Sequence, residues 1–191
     1  IQHATRSGKT VTAINAISEH SHEGFATVIA VPSVLLLKQW REEILKDLPG
    51  VTLLLCGGGN TKWKQKSRIR SLLLENKDGS GAVIIALLNT FVSPDFMYNL
   101  KNLEDVLLVA DETHTLGSLS YQKILDLNFG KRLGLSATPE RYGDVDGTQK
   151  ILKFYDKILS PIITIEDAIT NKLLLPVPKI SLVGLYEKYV L

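Results

Sequence analysis

An apolar run from Val106 to Ala110 stops abruptly at two adjacent carboxylates, Asp111 and Glu112, within the segment Asp105-Val106-Leu107-Leu108-Val109-Ala110-Asp111-Glu112-Thr113-His114. A run that short, with β-branched residues in it, reads as a strand buried on both faces. Such strands belong to parallel sheets covered by helices, and ligands bind just past the C-terminal ends of the strands. Asp111 and Glu112 therefore stand where chemistry is expected. Similar runs recur at Phe25 to Val31, Val51 to Leu55 and Ala82 to Leu88, and Lys131 to Leu135 reads as the strand leading into Ser136-Ala137-Thr138. Helical stretches lie between them. Thr10 to Glu19 carries Val11, Ile14, Ala16 and Ile17 near a 3.6-residue spacing, and Ser33 is placed to cap a helix from Val34 to Asp47. Shorter helical segments are expected at Pro94 to Leu103, Ser120 to Leu127 and Thr148 to Tyr155. This alternation predicts an α/β fold, a parallel sheet flanked by helices.

About a hundred residues before the paired carboxylates, the chain opens on His3-Ala4-Thr5-Arg6-Ser7-Gly8-Lys9-Thr10. Gly8-Lys9-Thr10 is the ending of a phosphate-binding loop, in which backbone N–H groups at the start of a helix point at phosphate oxygens. Lys9 would reach the β- and γ-phosphates and the Thr10 hydroxyl would ligate Mg²⁺. The full pattern asks for glycine where this chain has His3. Downstream of the carboxylates comes Leu135-Ser136-Ala137-Thr138-Pro139.

In this order the motifs resemble the superfamily 2 helicases and translocases of the DExH type, over nearly the whole chain. The opening octapeptide looks like motif I, and Val31-Pro32-Ser33-Val34-Leu35-Leu36-Leu37-Lys38-Gln39-Trp40 like motif Ia. Asp111-Glu112-Thr113-His114 looks like motif II and Ser136-Ala137-Thr138 like motif III. The Gln39-Trp40 pair and the run Thr138-Pro139-Glu140-Arg141 are most similar to the repair-helicase and restriction-enzyme motor branch. The resemblance implies a RecA-like P-loop NTPase domain over residues 1–160, lacking its upstream first strand, with residues 161–191 leading towards a second RecA-like domain. It implies ATP and Mg²⁺ as cofactors and nucleic acid, DNA in that branch, as partner. Thr5, Arg6, Ser7, Gly8, Lys9 and Thr10 would cradle the nucleotide. Thr10 and Asp111 would hold the metal, with Lys9, Asp111, Glu112 and His114 as the catalytic set. Ser136 and Thr138 would couple nucleotide state to the facing domain. That domain would supply the arginines that complete the site, because Arg141 lies on the loop after motif III and is no finger. Arg6 stands where the family has glycine. A degenerate scaffold that binds ATP or nucleic acid without turnover is the alternative reading, with Arg6 and the Leu87 region as its grounds.

Gly57-Gly58-Gly59-Asn60 reads either as a flexible turn or as a backbone surface for a nucleic-acid phosphate, and the run that follows it either as a solvated helix face, the commoner case, or as a phosphate-facing one. The family often has a glycine pair here, which makes Gly57 and Gly58 candidates for a phosphate-facing backbone. Lys62 to Arg70 holds five cations in nine residues and no acid. On one helix Lys62, Lys66 and Arg70 would form a single stripe at i, i+4 spacing. In the family the strand from Ala82 usually ends near a threonine that touches the nucleic-acid backbone; here Leu87-Leu88 occupy that region and Asn89-Thr90 come just after, so the resemblance assigns that contact to no residue.

The net charge of +2 across 191 residues does not itself argue for nucleic acid. A single cysteine, Cys56, makes an internal disulfide impossible and suits a reducing, intracellular compartment: the cytoplasm in a bacterium or virus-infected cell, with the nucleus also open. No apolar run approaches the roughly 20 residues of a membrane span, and His3, His20 and His22 have no neighbours spaced as zinc ligands.

Overall fold

The computed structural model describes residues 1–2, 8–74, 81–101, 103–162, 167 and 170. Five parallel strands form one sheet: β1 Thr27–Val31, β2 Thr52–Cys56, β3 Ala82–Leu87, β4 Leu107–Asp111 and β5 Lys131–Leu135, in the order β2-β3-β1-β4-β5. Thr27 of β1 pairs with Val83 on one side and Leu107 on the other. The chain therefore runs outward from β1 to β2, returns through β3, and crosses to β4 on the far side of β1. That reversal opens a crevice at the C-terminal ends of β1 and β4, where open α/β sheets hold ligands.

The three inner strands are apolar but for Thr27 at the start of β1 and Asp111 at the end of β4, because both faces are covered. Successive side chains point to opposite faces, so Ile29 and Val31 join one core while Val28 and Ala30 join the other. On the first face lie α1 (Lys9–His22) and α2 (Val34–Asp47), which contribute Ala13, Ile14, Ile17, Leu37, Trp40 and Ile44. The second face carries α3 (Arg68–Leu74), α4 (Leu88–Phe91), α5 (Pro94–Met97) and α6 (Val145–Tyr155). Its packing is aromatic, with Trp63 edge-on to Phe96 and Phe96 against Phe91, ring centroids 5.8 and 5.0 Å apart. β5 is the outermost strand and opens with exposed Lys131 and Arg132. Beyond it Gln2 bridges Ser136 in parallel and the Ser136 N–H donates to the Ile1 carbonyl, so the first residues lie along that edge.

The α/β expectation and its strands hold to within two residues at each end, and α2 has the predicted bounds, with the Ser33 hydroxyl accepting from Leu36 N–H at 3.2 Å. Three expectations change. Residues 120–127 form only a 3₁₀ turn, Gln122–Asp126. The helix α6 starts at Val145, ahead of Thr148, because the Asp144 carboxylate accepts from Gly147 N–H at 2.8 Å and caps it there. Lys62 to Arg70 is not one helix. It is a 3₁₀ turn, Lys62–Lys64, then extended Gln65, then Ser67 at φ 63° and only then α3. The strand expected at Ile162–Ile165, the helix at Glu166–Asn171 and the extended segment Leu173–Leu185 fall almost wholly outside the described residues. No described helix is long and apolar enough to cross a membrane.

Candidate functional site

Lys9 is the first residue of α1, directly after Gly8 at φ 88°, with Thr10 next. Residues 3–7 lie outside the described residues, so the expectations for Thr5, Arg6 and Ser7 are not addressed. Burial lowers the Lys9 pKa from the usual lysine value, while the Glu112 and Asp111 carboxylates act to raise it. A Coulomb effect from both carboxylates means that three candidates, about a hundred residues apart in sequence, share one site.

Asp111 is the last residue of β4, and its carboxylate is held from two directions. The Trp40 indole N–H donates to Oδ2 at 2.9 Å and the Glu112 backbone N–H to Oδ1 at 3.0 Å. Trp40 is 1% exposed and rises from α2, on the other side of the crevice, so β1's helix fixes the orientation of β4's acid. Sequence reading named Trp40 only as part of a motif and gave it no role in the site. Each Asp111 oxygen accepts one of these bonds and keeps a further lone pair. That donor set suits Mg²⁺, which is usually bound by one or two carboxylates plus substrate phosphates and water. Among the described residues no group of three His, Cys, Asp or Glu is placed to hold a metal alone.

Glu112 takes φ 51°, ψ 52°. A left-handed glutamate is strained by about 1 kcal/mol or more, and the surrounding turn enforces it. Thr115 donates to the Glu112 carbonyl from both its N–H, at 2.9 Å, and its hydroxyl, at 2.8 Å. Glu112 Oε2 lies 3.4 Å from His114 Nδ1, which also lies 3.3 Å from Ser136 Oγ. Ser136 is buried and its oxygen accepts from Thr138 N–H at 3.2 Å. The structure thus brings His114, Ser136 and Thr138 into one chain of contacts. Arg141 closes the arrangement from behind, donating to the His114 carbonyl and to Asp144 Oδ2, both at 2.7 Å. It braces the turn.

Gly134 and Thr113 explain how the turn fits under α6. Thr113 Oγ1 lies 3.1 Å from the Tyr155 hydroxyl. A Cβ on Gly134 would come within 2.7 Å of that same Oγ1 and 2.9 Å of the Tyr155 ring. Burial drives the Tyr155 phenol far above its usual pKa, which keeps it neutral.

A second candidate surface begins at the ends of β2 and β3. Gly57, Gly58 and Gly59 all have positive φ. A Cβ on Gly57 would collide with Thr90 Oγ1, so the bare backbone of Gly57 and the Thr90 hydroxyl are neighbours. Thr90 lies in α4, directly after β3. Gly58 abuts Val34 at the start of α2. Lys62, Lys66 and Arg70 do not make the single stripe that a continuous helix would give, because Gln65 and Ser67 break it. Lys66 and Arg70 line a cavity with Lys64, whereas Lys62 stands outside it.

Residues 1–141 match the family described as the type III restriction enzyme res subunit. The chain belongs to this family. It is 31% identical to a DNA 3'-5' translocase XPB2 of Sulfurisphaera tokodaii, over 83% of this chain and 30% of that protein. It is 30% identical to a putative DNA 3'-5' helicase Rad25 of Halobacterium salinarum, over 92% of this chain and 26% of that protein. The chain therefore spans less than a third of the length of either relative. The Pyrococcus furiosus Hef helicase domain superposes with a TM-score of 0.58 at 21% identity, covering 85% of this chain and 34% of that one. The RecA-like fold is thereby established for this family member.

Proposed function

We propose that this domain is the ATP-binding half of a DNA-dependent motor, a helicase or translocase that hydrolyses ATP with Mg²⁺. The observation that carries the reading is the anchored Asp111–Glu112 turn, held within Coulomb reach of Lys9 at the head of α1. Lys9 would bind the β- and γ-phosphates as a point charge. Asp111, oriented by Trp40, and the Thr10 hydroxyl would hold Mg²⁺, which when bound neutralises charge on the transferring phosphoryl group. Glu112 is the base for the attacking water: its carboxylate is half-exposed and its backbone is fixed in a strained turn. His114, in contact with both Glu112 and Ser136, would pass the state of the nucleotide to Ser136 and Thr138.

The relatives named as DNA translocase and helicase support DNA as the track. Gly57, Gly58 and Thr90 offer a backbone-and-hydroxyl surface for its phosphates. A second RecA-like domain would supply the completing arginines, since Arg141 is engaged in bracing the turn. The test is ATP hydrolysis by the full-length protein with and without DNA. The expected result is DNA-stimulated turnover that disappears in Lys9→Ala together with ATP binding. Turnover at the parent rate in Lys9→Ala would reject the site.

A further inference from the structure

Beyond the Gly57–Thr90 surface, the same two chain segments close around a cavity of about 320 Å³. One wall is the broken run after β2, with Trp63, Lys64, Lys66 and Arg70, and the other is α5 and its end, with Asp95 and Tyr98. The break that spoils a helical stripe creates this cavity. Trp63 is buried against Phe96, which pins the 3₁₀ turn, and left-handed Ser67 redirects the chain into α3. Lys64 and Lys66 on the turn and Arg70 on the helix then face one space. Three cations outweigh the single acid, Asp95.

Two details point to an anionic ligand. Arg70 Nε is shielded from solvent and has no hydrogen-bond partner among the described residues, and a shielded guanidinium donor calls for an acceptor. The Tyr98 ring beside it is 67% exposed, with the Arg70 guanidinium 5.7 Å and Lys101 Nζ 5.0 Å from its centre. Cations around an exposed aromatic ring are the elements of a single-strand binding surface, in which phosphates meet charge and unpaired bases meet a ring face.

We infer that this cavity is a phosphate pocket for single-stranded nucleic acid, with Arg70, Lys66 and Lys64 holding a backbone phosphate and Tyr98 taking an adjacent unpaired base. The strand would run from Gly57 and Thr90 outward over the ends of β2 and β3. Because base contact at Tyr98 needs an unpaired nucleotide, the pocket favours single strand over duplex. This site rests on the proposed motor function.

The experiment measures binding of a fluorescent oligo(dT), a matched abasic oligomer and a duplex to the full-length protein across a salt series. Lys66→Gln/Arg70→Gln should weaken oligo(dT) binding by roughly fivefold to tenfold and flatten the log K against log salt slope by about 0.7 per lost phosphate contact. Tyr98→Ala should weaken oligo(dT) about fivefold or more while leaving the abasic oligomer and the duplex unchanged. Both variants should bind ATP like the parent, which shows that they are folded. A parent that binds oligo(dT) while both variants match it in affinity and slope overturns the pocket and leaves the motor reading intact. A parent that binds none of the three probes overturns both. Equal loss of all three probes in Tyr98→Ala would overturn the assignment of a base to that ring.

Discussion

In the turn from Asp111 to Gly117 the polar groups are tied down. Asp111 is held by Trp40, the Glu112 carbonyl by Thr115, the His114 carbonyl by Arg141, and the His114 ring lies against Ser136. From Lys62 to Arg70 the picture reverses. Lys62, Lys64 and Lys66 are exposed, and the ordered contacts come from apolar Trp63 and Ile69 beneath them. Both regions follow the C-terminal ends of parallel strands, β4 and β2, and differ in how they are held. Under the proposed function, hydrolysis would depend on atoms held within fractions of an ångström, and the hydrogen bonds and left-handed glutamate of the first region would serve that demand. Binding a polyanion depends on charge density, which long mobile side chains supply without fixed geometry.

The sharpest way to break the comparison is Glu112→Gln. If the turn is built for chemistry, removing its base while keeping its shape should lower the turnover number for ATP by about 10²–10⁴-fold and leave ATP affinity nearly intact. Single-turnover hydrolysis beside equilibrium nucleotide binding checks it. Turnover within a few-fold of the parent would mean that Glu112 is only a turn residue.

Next in size is Gly134→Ala. The added methyl would press on Thr113 Oγ1 and the Tyr155 ring, so the turn must shift or α6 must give. A loss of about 2 kcal/mol in urea unfolding is expected, as for other overpacked cores. Activity should fall as well, because the displaced segment carries Glu112 and His114. An alanine in the basic run at exposed Lys64 should leave stability unchanged, and the contrast between these two results measures how differently the regions are held.

These regions also differ in how much of them the sequence disclosed. β4 and α2 were legible because their signals are local: an apolar run bounded by charge, and a serine cap ahead of apolar spacing. The adjacency of Lys9, Asp111 and Glu112 was legible through motif order, since a phosphate loop and a strand-end acid imply one site. The Trp40–Asp111 bond was not, because it joins residues 71 positions apart and a buried tryptophan reads as core. The basic stripe was misread because i, i+4 spacing has meaning only on a continuous helix. Nothing at Gln65 or Ser67 is a strong helix breaker, and what breaks the run is Trp63 turning inward to Phe96. Tertiary packing overrode local pattern there.

Trp40→Phe tests whether that unforeseen bond belongs to the chemistry. A phenyl ring keeps most of the buried volume and removes the N–H donor to Asp111. The expected effect is about a tenfold rise in the Mg²⁺ concentration for half-maximal ATPase, equivalent to about 1.4 kcal/mol and in keeping with one hydrogen bond to a charged group. The KM for ATP at saturating Mg²⁺ should stay close to the parent value. An unchanged Mg²⁺ dependence would leave Trp40 as core packing alone.

The smallest effect should come from Lys62→Gln, and it discriminates within the basic region itself. By spacing alone Lys62 ranks with Lys66 and Arg70. In the folded chain it lies on the near side of the break, exposed and outside the cavity lined by the other two. Its contribution to binding a strand is then the general attraction of one surface charge, which salt screens over about 10 Å at 0.1 M. Oligonucleotide affinity should fall by less than about twofold, with a salt slope indistinguishable from the parent. A slope change as large as that of Lys66→Gln would show that the strand's phosphates follow the outer turn as closely as the cavity, and the charge-density account of this region would then apply to the whole run, with no distinction between its two halves.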